Sequence, residues 1–358
     1  MLELEGKYGK DCKVFIDNVE EAALSTIYSI LDDEVSAYVP VRIMPDVHDG
    51  KDIVIGFTMP ISDMVNPNHI GVDIGCGVTC GRIPKMTMSL AEIDERIRAA
   101  IPMGFEHRAS PHPFASENSA MEALALKIGQ DPEAVYRQLG TLGGGNHFIE
   151  IGEADDEWYI FIHTGSRNFG LQVCKYHAAK AKANGSKYLL GDDMKEYFDD
   201  MIVAQRFASQ NRNAIVASVM AALDVTGEYV CDTIHNYIDF TRGIIRKGAV
   251  RAEAGETLVI LMNMRDGVLL CRGKGNPDWN YSAPHGAGRV LSRAQAKRQL
   301  DIAEFERQMQ GVYSTSVCDS TLDESPMAYK DMQTIIDCIG DTVEVVKVIK
   351  PILNIKAK

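Results

Sequence analysis

Nowhere in this 358-residue chain does an apolar run reach the length of a membrane span or of a signal-peptide core, so a spanning helix or a secretory leader is not expected. The eight cysteines lack the paired spacing of a zinc ribbon or of an extracellular disulfide framework, which makes a reducing cytoplasm the expected setting. Positive charge is also short. With 37 Lys and Arg against 50 Asp and Glu, the net charge of -13 argues against indiscriminate coating of nucleic acid. Any RNA contact then has to come from a local basic surface. Arg242, Arg246, Lys247, Arg251, Arg272 and Lys274 supply one candidate, with a solvated ion-rich face as the alternative. Finally, no linker, repeat or low-complexity tract interrupts the chain, and a single continuous domain over residues 1–358 is the simplest expectation.

What is present is an alternation of helical and strand-like segments. A D-x-x-E pattern opens an amphipathic helix over residues 17–31, and Ser89 with Glu92 forms a capping-box sequence before IDERIRAAI. Residues 193–223 are the most helical stretch, with Met201, Ala204, Phe207, Ala208 and Ile215 able to share one buried stripe. Short runs rich in β-branched and aromatic residues, at 52–58, 158–162, 257–261 and 345–349, are expected strands.

Two strings carry chemistry. In GVDIGCG (residues 71–77) a carboxylate, Asp73, and a thiol, Cys76, lie three apart among glycines, so a tight turn can aim both at one ion. His147 in LGGGNHFIE, His163 in YIFIHTGSRNFG and His235 in CDTIHNYIDF offer imidazoles from strand ends or glycine-rich turns. One crowded metal, or two sharing a ligand, would use them all; a buried thiol and hydrogen-bonded core histidines are the bland alternative. In SAPHGAGR (residues 282–289) a lone histidine sits among glycines that allow close approach of a phosphate, with Arg289 as a fixed cation. His285 is therefore a candidate nucleophile, or else part of a turn that begins a helix through RVLSRAQAKRQL.

Taken with MPDVHDG (44–50), AQRFASQNR (204–212), IHNY, RKGAV, LDESPMAYKD (322–331) and the terminal PILNIK, these strings resemble the RtcB family of RNA ligases over nearly the whole chain. The resemblance implies an α+β fold with packed central β-sheets surrounded by helices. It also implies an enzyme that joins RNA 3′-phosphate or 2′,3′-cyclic phosphate ends to 5′-hydroxyl ends with GTP and Mn²⁺, in tRNA splicing or RNA repair. The resemblance implies that Asp73, Cys76, His147, His163 and His235 are ligands of two metal ions bridged by Cys76, and that His285 becomes guanylylated.

The same resemblance assigns nucleotide contacts to Asn146, Glu150, Asn236, Asn263, Met264, Gly286, Ala287, Gly288 and Lys356. A carboxylate and a lysine suit guanine, whose N1 and N2 donate while O6 accepts. Arg167 and Arg289 are candidates for RNA phosphates, and an activating or RNA-repair protein partner is a further expectation. The segment LMNMRDG (261–267) departs from the family's usual PGSMG, which bears on guanine preference. The chain is also compact for the family. A member that guanylylates or processes 3′-phosphate ends with weak sealing, and a non-catalytic nucleotide-binding paralogue, are the alternatives. Asp46 and His48 could line the site. His69, His107, His112 and His177 are read as surface or packing residues, and Glu324 and Lys330 as a surface ion pair or helix start as readily as catalytic groups.

Overall fold

Helices pack around two principal sheets in a computed structural model that describes residues 1–115 and 118–358. A six-stranded sheet runs in the order Leu2–Leu4, Cys12–Val14, Val41–His48, Ile55–Pro60, Ile244–Lys247, Asn236–Asp239. A seven-stranded sheet runs Glu228–Ile234, Gly77–Ile83, Glu157–Thr164, Phe148–Ala154, Val343–Ile355, Val268–Gly273, Thr257–Leu261. The architecture is α+β, as the motifs imply. Among the described residues no helix is long and apolar enough to cross a membrane.

Local chemistry explains the central hairpin. Phe148–Ala154 and Glu157–Thr164 pair antiparallel down to Ala154 opposite Glu157, leaving Asp155 and Asp156 as a two-residue turn. Both adopt positive φ (50° and 65°), the twist-matched conformation of tight hairpins that aspartate tolerates better than most side chains. The expected strand at 345–349 lies within a 13-residue strand, Val343–Ile355, which continues past Pro351 with a slip in its register against Phe148–Ala154.

Other boundaries move in understandable ways. The first helix begins at Glu21, four residues later than the D-x-x-E pattern suggests, with Glu20 as an extended N-cap. Ser89 does cap its helix, accepting from the Glu92 backbone N–H at 3.2 Å. The strand expected at 52–58 is Ile55–Pro60, displaced by the bend at residues 51–53. The helix expected through RVLSRAQAKRQL starts late, at Arg293, and runs to Gln299, opened by a reciprocal Ser292/Gln295 capping box.

Gly191–Leu223 is one 33-residue helix that buries the expected stripe of Met201, Ala204, Phe207, Ala208 and Ile215. On one side its apolar residues join the core beneath the six-stranded sheet, with Phe57, Val65 and Phe169. Further along, Ile215, Val219 and Leu223 join Ile149, Ile151, Ile160 and Ile162 of the seven-stranded sheet. The helix thus packs against both layers. His235 lies where the chain passes from one sheet to the other, between Glu228–Ile234 and Asn236–Asp239.

Candidate active site

The predicted ligands converge at that crossing. Asp73 and Cys76 come from the turn before Gly77–Ile83, His147 from the turn before Phe148–Ala154, and His163 from the end of Glu157–Thr164. Gly75 is required in this turn: its φ is 70°, and a Cβ would crowd Ala208 and Gln205 of the long helix. The side chains form two donor groups, Asp73 with Cys76 and His147, and Cys76 with His163 and His235. Cys76 belongs to both. Its Sγ stands 3.5 Å from His147 Nε2 and 3.3 Å from His163 Nε2, while His163 and His235 present Nε2 atoms to each other at 3.4 Å.

A hydrogen bond orients one imidazole. His147 donates Nδ1–H to the Leu142 carbonyl at 3.0 Å, which turns Nε2 toward the Asp73 carboxylate 2.9 Å away, where a proton on Nε2 would be donated to the carboxylate. With that proton displaced, a carboxylate oxygen, a thiolate and an imidazole nitrogen lie within reach of one another, a donor set that fits a cation. The ionisation tendencies agree. Burial pushes the His163 and His235 imidazoles well down, keeping them neutral, and burial together with Asp73 holds the Cys76 thiol well up in the absence of compensating charge. Burial alone would raise Asp73, but the adjacent His147 and Cys76 reverse this and hold it below the usual carboxylate range.

His285 follows the strand Ser282–Pro284, and its ring centroid lies 4.7 Å from that of His235. Its Nδ1 is 2.6 Å from Oδ2 of Asp46, a fully buried residue of Val41–His48. The same oxygen accepts the backbone N–H groups of His285 and Gly286 at 3.2 and 3.3 Å. Nε2 is left facing away from the carboxylate. Gly288, at φ 74°, lies so close to Asp46 that a Cβ would overlap its backbone carbonyl.

Both constellations open on one cleft of about 770 Å³, lined by Asp73, Cys76, His163, His235 and His285. Asn146, Glu150, Asn236, Asn263, Met264, Gly286, Ala287, Gly288 and Lys356 also line it. Glu150 is buried, and burial lifts its carboxyl to about 8. Asn354 donates to one of its oxygens at 2.7 Å, while no described residue donates to the other. Such a group is ready for an N–H donor from a ligand. Lys356 Nζ binds the Asn146 carbonyl at 3.0 Å and Glu324 at 3.1 Å. Asn236 ties its segment to Gly248 N–H, and Asn263 is a turn residue accepting from the Arg265 and Asp266 N–H groups. Met264 packs in a small cluster with Phe305, Met309 and Leu322.

Several expectations need correction. The basic cluster is divided: Arg242, Arg251, Arg272 and Lys274 are exposed, the first two paired with Glu253 and Glu256 as in a solvated ion-rich face, whereas Arg246 is fully buried and paired with Asp239 at 2.8 Å. Lys247 points inward, onto the Ile70 carbonyl at 2.8 Å, and lines the cleft. Glu324 is no surface residue. It is buried, and Lys356, Arg293 and Arg289 converge on it while Tyr329 donates at 3.0 Å. These cations overcome the upward push of burial and hold its carboxyl down to about 2. Lys330 binds the Pro45 and Val47 carbonyls beside Asp46 and forms no ion pair with Glu324. His69, His112 and His177 are indeed packed, the last against Asp200 at 2.7 Å.

The two arginines proposed for RNA phosphates are both engaged internally. Arg167, with φ 56°, donates to Thr141 Oγ1 and to the Gly104 carbonyl. Arg289 donates to the Leu291 and Asp323 carbonyls and lines the cleft. Arg293 is absent from the predicted set although its side chain is 45% exposed at the rim, and its only sequence signal was the helix-start pattern around it.

Comparison with known proteins gives the family. The model for the tRNA-splicing ligase RtcB family matches residues 34–130 and 109–357. The chain belongs to the RtcB family. It is 33% identical to the RNA-splicing ligase RtcB of Escherichia coli K12 over 88% of its own length and 90% of that protein. A second E. coli relative, RNA-splicing ligase RtcB2 of strain ATCC 25922, is 29% identical over 87% of this chain and 86% of its own. The tRNA-splicing ligase RtcB of Aeropyrum pernix is 26% identical, with 82% of each chain covered. Within this RtcB fold, Cys76 is the residue common to both donor groups.

Proposed function

We propose that this chain is a GTP-dependent RNA ligase that joins 3′-phosphate or 2′,3′-cyclic phosphate ends to 5′-hydroxyl ends through guanylylated His285. Family membership supports the RNA-ligase class. The observation that carries the chemistry is His285, held from behind by buried Asp46, on the wall of the cleft that Asp73, Cys76, His163 and His235 also line.

Asp46 anchors Nδ1–H of His285, so the nucleophile is the Nε2 lone pair. Attack on the GTP α-phosphorus forms a P–N bond and releases pyrophosphate, and the buried carboxylate offsets the positive charge that develops on the ring. An RNA 3′-phosphate oxygen then attacks the same phosphorus, returning His285 to its neutral state. The RNA 5′-hydroxyl finally attacks the activated 3′-phosphate, forming the phosphodiester and releasing GMP. A 2′,3′-cyclic phosphate end first takes up water to become a 3′-phosphate.

Asp73, Cys76 and His147 would hold one divalent cation, and Cys76, His163 and His235 a second. Bound there, Mn²⁺ supplies Lewis-acid stabilisation of charge on phosphate oxygens. Glu150 suits the guanine edge, its unpartnered Oε1 offering an acceptor to an N–H of the base, with Lys356 beside it in the same cleft. Arg289 and Arg293 face the remaining phosphates across the cleft.

Incubation with Mn²⁺ and α-labelled GTP is expected to give an acid-labile protein adduct that His285→Ala abolishes. Equal labelling of both proteins, or of neither, rejects the chemistry. The pairing of Arg242, Arg246 and Arg251 with carboxylates, which leaves less unpaired positive charge for RNA, favours one narrower variant, guanylylation of 3′-phosphate ends with weak sealing. Scoring 3′-end capping and sealing on one broken stem-loop separates the two.

A further inference from the structure

The long helix Gly191–Leu223 touches the site through backbone rather than ligands. Arg212 on this helix is fully buried, and its guanidinium is used on every side. Nε and Nη2 form a fork on Asp232 at 2.6 and 2.7 Å, and Nη1 donates to the carbonyls of Gly75 at 2.7 Å and Thr164 at 3.1 Å. Gly75 precedes Cys76, Thr164 follows His163, and Asp232 stands three residues before His235 on the strand that delivers it. Asn211 works on the same segments. Its Oδ1 accepts Gly140 N–H at 2.8 Å and its Nδ2 donates to the Thr141 and Gly165 carbonyls at 3.1 Å. That fixes the approach to Leu142, whose carbonyl orients the His147 ring.

We infer that Arg212, assisted by Asn211, is a positioning residue for the donor groups, fixing the backbone beside Cys76, His163 and His235 so that their lone pairs share one focus. The inference rests on the metal-site reading above. A planar fork is needed because two backbone carbonyls and a carboxylate must be held at once, and lysine, a single point of charge, cannot span them. Burying so full a cation is costly unless it is paired and hydrogen-bonded, and here all three guanidinium nitrogens donate, two of them to the Asp232 carboxylate. Second-layer contacts of this kind typically govern metal affinity by about 10- to 100-fold.

The test is titration of the metal-free protein with Co²⁺, reading the thiolate-to-cobalt charge-transfer band from Cys76 and the dissociation constant. The wild type is expected to develop the band, and Arg212→Lys to lose about 10- to 100-fold in affinity with a weakened or shifted band. Ile27→Ala, a cavity in the core of the other sheet, serves as the control for destabilisation alone and is expected to bind Co²⁺ as the wild type does. Should Arg212→Lys not fold, Asn211→Ser is titrated in its place with the same expectations. Binding unchanged in the folded variant, or weakened equally by Ile27→Ala at a matched loss of Tm, overturns the positioning role. No band in the wild type would overturn the metal reading itself and this inference with it.

Discussion

Asp46 Oδ2 lies 2.6 Å from His285 Nδ1 while also accepting two backbone N–H groups of the same loop, so one carboxylate oxygen sets both ring and loop. Replacing Asp46 by Asn keeps the shape and removes the charge. Protein guanylylation is expected to fall about 100- to 10,000-fold, the range for groups that fix a catalytic imidazole, with little change in metal content. Rates of adduct formation beside metal analysis check this, and a rate within twofold of wild type would contradict it.

Cys76 belongs to both donor groups, whereas Asp73 and His147 serve one and His163 and His235 the other. Elemental analysis after Mn²⁺ loading is expected to give two ions in the wild type, a single ion in His235→Ala, and neither in Cys76→Ala. Zn²⁺ should compete for the thiolate-containing groups and inhibit, since ligand softness favours it over Mn²⁺. A Cys76→Ala protein that keeps both ions would show the thiol to be a bystander.

Glu150 carries a carboxyl raised by burial to about 8, against an ordinary value near 4.5. The folded state therefore holds a proton that the unfolded state gives up, and stability is full below about pH 4.5 and declines as pH rises toward 8. Each unit corresponds to about 1.4 kcal/mol. Glu150→Gln removes this slope, so its stability relative to wild type should improve between pH 5 and 8 in parallel denaturation series. Parallel profiles would place the carboxyl in a far more polar setting than its burial implies.

Glu324 is the common counter-charge for Lys356, Arg289 and Arg293. Its carboxyl, held down to about 2, contributes stability above about pH 4.5 that is lost as pH falls toward 2. Glu324→Ala strands buried Lys356 and should cost about 3–5 kcal/mol in urea unfolding at neutral pH, with a smaller loss for Glu324→Gln. A loss below about 1 kcal/mol would mean that the cations find other partners.

Much of the donor set is legible in the sequence because its geometry is local: Gly75 turns the chain between Asp73 and Cys76, and glycines precede His147. The long helix is legible for a similar reason, its stripe being periodic. Asp46 is different. It stands 239 residues from His285, and nothing near either residue announces the pairing. The basic run after Arg242 misleads because its partners are offset along the chain, Glu253 for Arg242 and Glu256 for Arg251, so a run of like charge hides compensated pairs. Glu324 escapes notice because burial comes from the cleft wall, a tertiary property, and the strand order of both sheets is likewise invisible to periodicity.

His235 marks the peptide at which the chain leaves one sheet and enters the other. A chain with only one layer condensed has nowhere to bring this imidazole against Cys76 and His163, so partly folded forms should be chemically silent. Competence would arrive late in maturation, and a captured cation would then rivet the seam between the layers, making chelation loosen that joint ahead of either sheet's interior.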